Sequence, residues 1–312
     1  MKKGLFIIPF LFCLTTFAQQ TIPLYTGSIP NSKPSINQEK EFSFIRPSDS
    51  IKIEGYRNVI NPTLSVFLPP ANKANGLAVI ICPGGAYSVV IKNMEGENVA
   101  KKLNDAGIAA FVLKYRIPNE LTMVDKSIGP LQDAQRSIQI VRENAKKWHI
   151  DTSKVGIMGF SAGGHLASTV GTHFQKSYID NKKNTNLRPA FMILIYPVIS
   201  FADSLTHLQS RSQLIGPNIT PEKVKEYSNE LQITPQTPPT FISHAIDDED
   251  VPIANSFFFI AALQQKHVPV EVFLYDKGGH GFFHVNPKGV QWIDNCIKWL
   301  NKGSWVKNKL IK

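Results

Sequence analysis

The chain reads as an α/β protein built on a mostly parallel, doubly wound sheet with helices on both faces. Three observations predict this. Leu77, Ala78, Val79, Ile80, Ile81 and Cys82 form one unbroken apolar run, the pattern of a strand covered on both sides. Runs of that kind alternate with longer segments of helical periodicity, which is the rhythm of β-α-β units. No linker interrupts the alternation, so residues 47–312 read as a single domain, a reasonable size for a chain of 312 residues.

The elements follow in order. Residues 64–68 form an apolar strand that stops at Pro69 and Pro70. After the strand at 77–82, residues 95–106 have helical spacing and end at Gly107, a helix-terminating signal. Residues 108–113 are the next apolar strand, and residues 131–148 are a long amphipathic helix. The strand at 155–158 runs straight into a glycine-rich turn. Strands at 191–196, 240–244 and 270–274 follow, with a helix near 255–265 and a last helix at 290–300.

Three segments depart from this rhythm. Residues 1–18 have the basic pair Lys2 and Lys3, an apolar stretch interrupted by Pro9, and a Thr16-Phe17-Ala18 ending. That is the layout of a cleaved secretory leader, so an exported protein, secreted or periplasmic, is expected. The stretch is too short to anchor in a membrane. Residues 19–46 are polar, with Pro23, Pro30 and Pro34, and read as an extended lead-in. Residues 201–236 are polar, contain Pro217, Pro221 and Pro235, and have no core strand. They are expected to form a small insertion over the carboxyl edge of the sheet, where ligands bind in such folds.

Composition excludes several function classes. The hydrophobic share of 43% and charged share of 19% are those of an ordinary globular protein. The formal charge of +10 raises the question of nucleic acid. The lysines are scattered, apart from a tail with Lys302, Lys307, Lys309 and Lys312, and no basic-aromatic motif accompanies them. A solvated basic surface is the better reading, and no nucleic-acid or membrane partner is expected for the mature chain. The three cysteines are too few for a disulfide framework. Cys13 leaves with the leader, and Cys82 and Cys296 read as buried thiols. No His/Cys cluster has the spacing of a metal site.

The chemistry is concentrated in Gly159-Phe160-Ser161-Ala162-Gly163, followed by Gly164 and His165. A strand that turns abruptly into a helix at a serine forms a nucleophile elbow. The turn leaves the Ser161 hydroxyl exposed at the sheet edge and the Ala162 N–H free at a helix N-terminus. Developing negative charge is stabilised there. Serine needs a base, and the base needs an orienting carboxylate. Sheets with this elbow order them Ser, then acid, then His.

The acid falls in the run Asp247, Asp248, Glu249 and Asp250 after the strand at 240–244; Asp248 is the choice. The base is His280, flanked by Gly278, Gly279 and Gly281, which let a loop bring the ring over Ser161. His284 is a nearby decoy. His165 on the elbow helix, His244 on a strand, and His149, His173, His207 and His267 lack that glycine setting. A second oxyanion donor is expected from Pro83-Gly84-Gly85-Ala86-Tyr87. Gly84 and Gly85 are the expected N–H groups and Ala86 the alternative. Tyr87 is expected to line the substrate pocket. Acyl transfer of this kind uses no cofactor.

These motifs resemble the α/β-hydrolase superfamily, in the branch of bacterial acetyl xylan esterase-like carbohydrate esterases. The resemblance covers most of the chain from residue 64 onward. It also includes Lys114-Tyr115-Arg116, Asp133 to Arg136, and Val251-Pro252. In that family the acid lies four residues before the proline, which points to Asp248. Ala86 departs from the family's frequent third glycine. Asp133 and Arg136 read as structural, a buried or half-buried pair on the long helix. The resemblance implies a serine esterase acting on acetylated plant cell-wall polysaccharide or oligosaccharide, xylan first. A feruloyl or general short-chain carboxylesterase, or a non-catalytic glycan-binding relative, is the alternative.

Overall fold

The computed structural model describes residues 20–36, 38–47, 50–282 and 291–303. The expected leader with Cys13, His284, and the tail residues Lys307, Lys309 and Lys312 lie outside the described residues.

Strand β1 (Gln20–Pro23), β2 (Lys40–Ile45), β3 (Lys52–Arg57) and β4 (Thr63–Phe67) precede the apolar core strand β5 (Ala78–Cys82). Then come β6 (Val89–Ile91), a π-helical turn at Asn93–Glu97, α1 (Asn98–Asp105) and β7 (Ala109–Lys114). Helix α2 (Gly129–Glu143) leads to β8 (Val155–Phe160), α3 (Ala162–His173) and β9 (Met192–Ile195). Helices α4 (Leu208–Ile215) and α5 (Pro221–Glu226) are followed by β10 (Thr240–Ala245), α6 (Ala254–Gln265), β11 (Val270–Tyr275) and α7 (Trp292–Lys302).

The central sheet has the order β1-β4-β7-β5-β8-β9-β10-β11 among the described residues. From β7 to β11 every pairing is parallel; at the other edge β4 runs antiparallel to β7, and β1, antiparallel to β4, runs with the rest. Side chains alternate across a strand. In β5, Ala78, Ile80 and Cys82 enter one core with Leu131 and Ile138 of α2, Leu166 and Val170 of α3, and Phe259 of α6. Val79 and Ile81 enter the other, with Val99 and Leu103 of α1 and Trp292, Cys296 and Leu300 of α7. Helices therefore cover both faces, and each apolar run is buried twice over. Cys82 and Cys296 are buried free thiols in different cores.

The lead-in is tied to the domain. Gln20–Pro23 pairs with β4 as an edge strand. The Arg116 guanidinium donates to Pro30 O (2.7 Å) and Arg136 Nε donates to Leu24 O (2.9 Å). β2, β3 and β6 form a separate three-stranded sheet. Asp133 is buried as expected, but its partner is Arg116 at 2.9 Å, not Arg136. The reason is position: Arg116 leaves the end of β7 beside the first turn of α2, whereas Arg136 turns toward the lead-in.

The stretch at 201–236 adds no strand. It contributes α4, α5 and a 3-10 turn (Asn229–Gln232); the turn packs against α3 and α6, and α5 packs against the turn. His165 fastens it: Nε2 donates to Tyr227 O at 2.8 Å, and Phe201 stacks on the imidazole with centroids 4.3 Å apart. Burial pushes the His165 pKa down to about 4, so the ring is a neutral packing element.

Candidate active site

The site lies where β8 ends and α3 begins. Ser161 has φ 52° and ψ −121°, a strained backbone for a residue with a side chain. The turn needs its glycines for space. A Cβ on Gly159 would lie 2.0 Å from Gly163 O, and one on Gly163 would lie 2.1 Å from Cys82 O. Ser161 N donates to Ile195 O at 3.1 Å, so the β8–β9 ladder runs up to the hydroxyl-bearing residue itself.

Ser161 Oγ lies 2.9 Å from His280 Nε2, and His280 Nδ1 lies 2.8 Å from Asp248 Oδ2. A carboxylate only accepts, so Nδ1 carries the proton and Nε2 is left to accept from the serine. Asp248 Oδ1 accepts from the N–H groups of Asp250 (3.0 Å) and Val251 (2.8 Å). Burial raises the Asp248 pKa, but hydrogen bonds from His244 and His280 outweigh it and hold the carboxyl well below the usual range. Burial alone would lower the His280 pKa. The Asp248 hydrogen bond and charge reverse this and carry it above its ordinary value, with Glu95 and Asp250 adding. Asp247, the neighbouring acid, serves the loop: it accepts from Gly279 N (2.8 Å) and Gly278 N (3.1 Å), shaping the turn that presents His280.

Two expected site residues fall elsewhere. Gly84 N–H donates to a buried Glu95 carboxylate at 2.6 Å, so it is not open to an incoming oxyanion. The correction follows from peptide planes. Gly84 O accepts from Ile91 N and Gly85 O from Ser88 and Val89 N. In a trans peptide the N–H points opposite the C=O, so the N–H groups of Gly85 and Ala86 turn away from those bonds. Among the described residues neither of them, nor Ala162 N–H, meets an acceptor. Gly85, Ala86 and Ala162 are therefore the open donors. Tyr87 is the second correction. It is 1% exposed, and its hydroxyl donates to His165 Nδ1 at 2.9 Å. It belongs to the core and cannot line a pocket.

Three residues of the site had no signal in the sequence. His244 Nε2 donates to Asp248 Oδ2 (3.1 Å) and faces Val251 O (3.1 Å), giving the carboxylate a second imidazole. Tyr196 donates from its hydroxyl to Glu95 (2.8 Å), and its ring lies 4.7 Å from that of His280. Glu95 is the third. The only hint in each case was a polar residue beside an apolar strand or helix, which is too common to select them. Among the described residues no three metal-ligand side chains converge.

Comparison with known proteins agrees with this architecture. The BD-FAE family model matches residues 64–263. An acetylxylan esterase of Xylanibacter ruminicola is 37% identical over 241 residues, covering 74% of this chain and 47% of the relative. An endo-1,4-beta-xylanase B of Butyrivibrio fibrisolvens is 36% identical over 211 residues, 67% of this chain and 33% of the relative. The chain thus spans a half or less of these curated relatives. A solved acetyl ester-xyloside bifunctional hydrolase from Caldicellulosiruptor lactoaceticus superposes with a TM-score of 0.74 and 35% identity. That match covers 90% of this chain and 95% of the other. A family match over more than half the sequence, together with near end-to-end likeness to that hydrolase, shows that the chain belongs to the BD-FAE family and has the α/β-hydrolase fold.

Proposed function

We propose that this protein is an exported esterase that removes acetyl groups from plant cell-wall polysaccharide, acetylated xylan first, through a Ser161–His280–Asp248 acyl-enzyme mechanism. The observation that carries the mechanism is the unbroken order of hydrogen bonds from Ser161 Oγ to His280 to Asp248. The substrate rests on the likeness to an acetylxylan esterase and an acetyl ester-xyloside hydrolase. Export rests on the composition of residues 1–18.

In the first step His280 Nε2 takes the Ser161 proton as Oγ attacks the ester carbonyl. Asp248 holds the imidazole and stabilises its cation. The carbonyl oxygen becomes an oxyanion against Ala162 N–H and the Gly85 and Ala86 N–H groups. One such donor is worth about 10²–10³ in rate. The sugar hydroxyl leaves with the proton from His280. Water then attacks the acetyl-Ser161 ester with His280 as base, releasing acetate and restoring the serine.

The test is acetate release from acetylated glucuronoxylan oligomers, beside feruloylated arabinoxylan and p-nitrophenyl acetate, with Ser161→Ala as control. Acetate release that vanishes in the variant supports the proposal. Activity confined to the small ester would remove xylan and leave a general short-chain esterase. Ferulate release without acetate release would reassign the acyl group.

A further inference from the structure

Glu95 has no part in the mechanism above, yet its carboxylate lies directly under it. The residue is 8% exposed and stands in the π-helical turn before α1. Oε2 accepts the Gly84 N–H at 2.6 Å and Oε1 accepts the Tyr196 hydroxyl at 2.8 Å. A Cβ built on Gly84 would lie 2.8 Å from Glu95 Oε2 and 3.0 Å from Ser161 Cβ. The carboxylate, the loop and the serine are therefore packed in one layer. The Tyr196 ring continues the contact to the imidazole of His280, 4.7 Å away between centroids.

An isolated buried carboxylate is costly, so this one needs a reason to be there. Its two hydrogen bonds supply the first. The loop is pinned on both sides of one peptide: Tyr115 Oη donates to Pro83 O (2.7 Å), and the Gly84 N–H is drawn to Glu95. With that plane fixed, the next two planes present the Gly85 and Ala86 N–H groups. Without Glu95, Gly84 N–H would be a buried donor lacking a partner, and its peptide would be held only through Pro83 O. The second reason is charge. Burial outweighs the Tyr196 and Gly84 hydrogen bonds and the charges of His280 and Arg46 and leaves the Glu95 pKa above its ordinary value, yet both oxygens accept hydrogen bonds, as those of an ionised carboxylate do.

We propose that Glu95 is a positioning residue of the esterase site: it orients the Gly84–Ala86 peptides that receive the oxyanion and sets a negative charge beside the Ser161–His280 pair. This rests on the Ser161–His280–Asp248 reading. The groups that face His280 are Asp248 and Asp250 from the acidic loop, Glu95, and His207 at the start of α4; those that face Glu95 are Tyr196, Tyr115, His280 and Arg46. Removing only the Glu95 charge therefore leaves the other carboxylates in place.

The experiment compares wild type, Ser161→Ala, Glu95→Gln and Glu95→Ala on p-nitrophenyl acetate across the imidazole titration. Glutamine keeps an acceptor for Gly84 N–H but not the charge. Its acid limb in kcat/KM is expected at lower pH than wild type, because an imidazolium beside fewer negative charges loses its proton more easily. Alanine also releases Gly84 and is expected to lose about 10²-fold in kcat with little change in KM. A residue that merely supports the fold would lower the melting temperature and leave the acid limb where it was. An unmoved limb in Glu95→Gln overturns the charge role, and undiminished kcat in Glu95→Ala overturns the loop role. Following the His280 ring by NMR in Ser161→Ala, with and without Glu95→Gln, reads the same charge without turnover, even if Glu95→Ala fails to fold. Full activity in Ser161→Ala alone would instead refute the underlying mechanism.

Discussion

Replacing Asp248 by asparagine changes one atom and reverses the hydrogen bonding of the whole site. In the wild type, Oδ1 takes two backbone donors, from Asp250 at 3.0 Å and Val251 at 2.8 Å. Those donors hold the amide oxygen of an asparagine in the same place. The amide nitrogen then occupies the Oδ2 position, where His280 Nδ1 (2.8 Å) and His244 Nε2 (3.1 Å) both expect an acceptor. His280 answers by moving its proton to Nε2, and Nε2 can no longer accept from Ser161. His244 keeps Val251 O as an acceptor, so the fold survives. The loss is then one of tautomer and of imidazolium stabilisation, about 10³–10⁴ in kcat, or about 4–5.5 kcal/mol in the barrier. KM changes little, because Asp248 is buried and the proposed mechanism gives it no contact with substrate. Steady-state hydrolysis of p-nitrophenyl acetate measures this directly, with Asp247→Asn as the control that loosens only the Gly278–Gly279 turn. Asp248→Asn activity within about tenfold of wild type, or a larger loss in Asp247→Asn, would refute the reasoning.

Three further outcomes are expected. His280 has its pKa raised in the fold, so kcat/KM falls with acid along a limb centred above the ordinary imidazole value of about 6.5; a limb centred below that value contradicts the Asp248 assignment. His165 is depressed to about 4, so the unfolded chain binds a proton there that the folded chain refuses; stability is full above about pH 6.5 and declines by about 3 kcal/mol as pH falls to about 4. Urea unfolding of wild type and His165→Gln checks this, the variant losing that part of the slope. Arg116→Ala strips the buried Asp133 of its ion-pair partner, and should cost about 3–5 kcal/mol by the same assay.

The elements read most clearly from sequence are those whose burial leaves no choice. β5, β7, β8 and β9 are enclosed on both faces, so their apolar runs coincide with the strands to within two residues. The small sheet escaped notice because β2 is largely exposed and carries Lys40, Glu41 and Ser43 among its apolar residues. The helix expected from residue 95 begins instead with a π-helical turn that carries Glu95 and Met94 into the interior. Ser161, Asp248 and His280 were legible because each follows a strand end in a setting of glycines or acids. The loop proposed to bind the oxyanion was legible only as a loop. Which N–H points outward depends on the rotation of single peptide planes, set by Ile91, Ser88 and Glu95, and local composition carries no trace of it. Tyr87 misled for the same reason, since a residue at φ 57° can turn its ring inward as easily as out.

The most direct test of the account is rapid-quench mass spectrometry during turnover of acetylated xylan oligomers. The account predicts that a fraction of the protein gains one acetyl group, located on Ser161 in the peptide map, and that Ser161→Ala gains none. Turnover with no acetylated serine, or an acetyl group on any other residue, would contradict it.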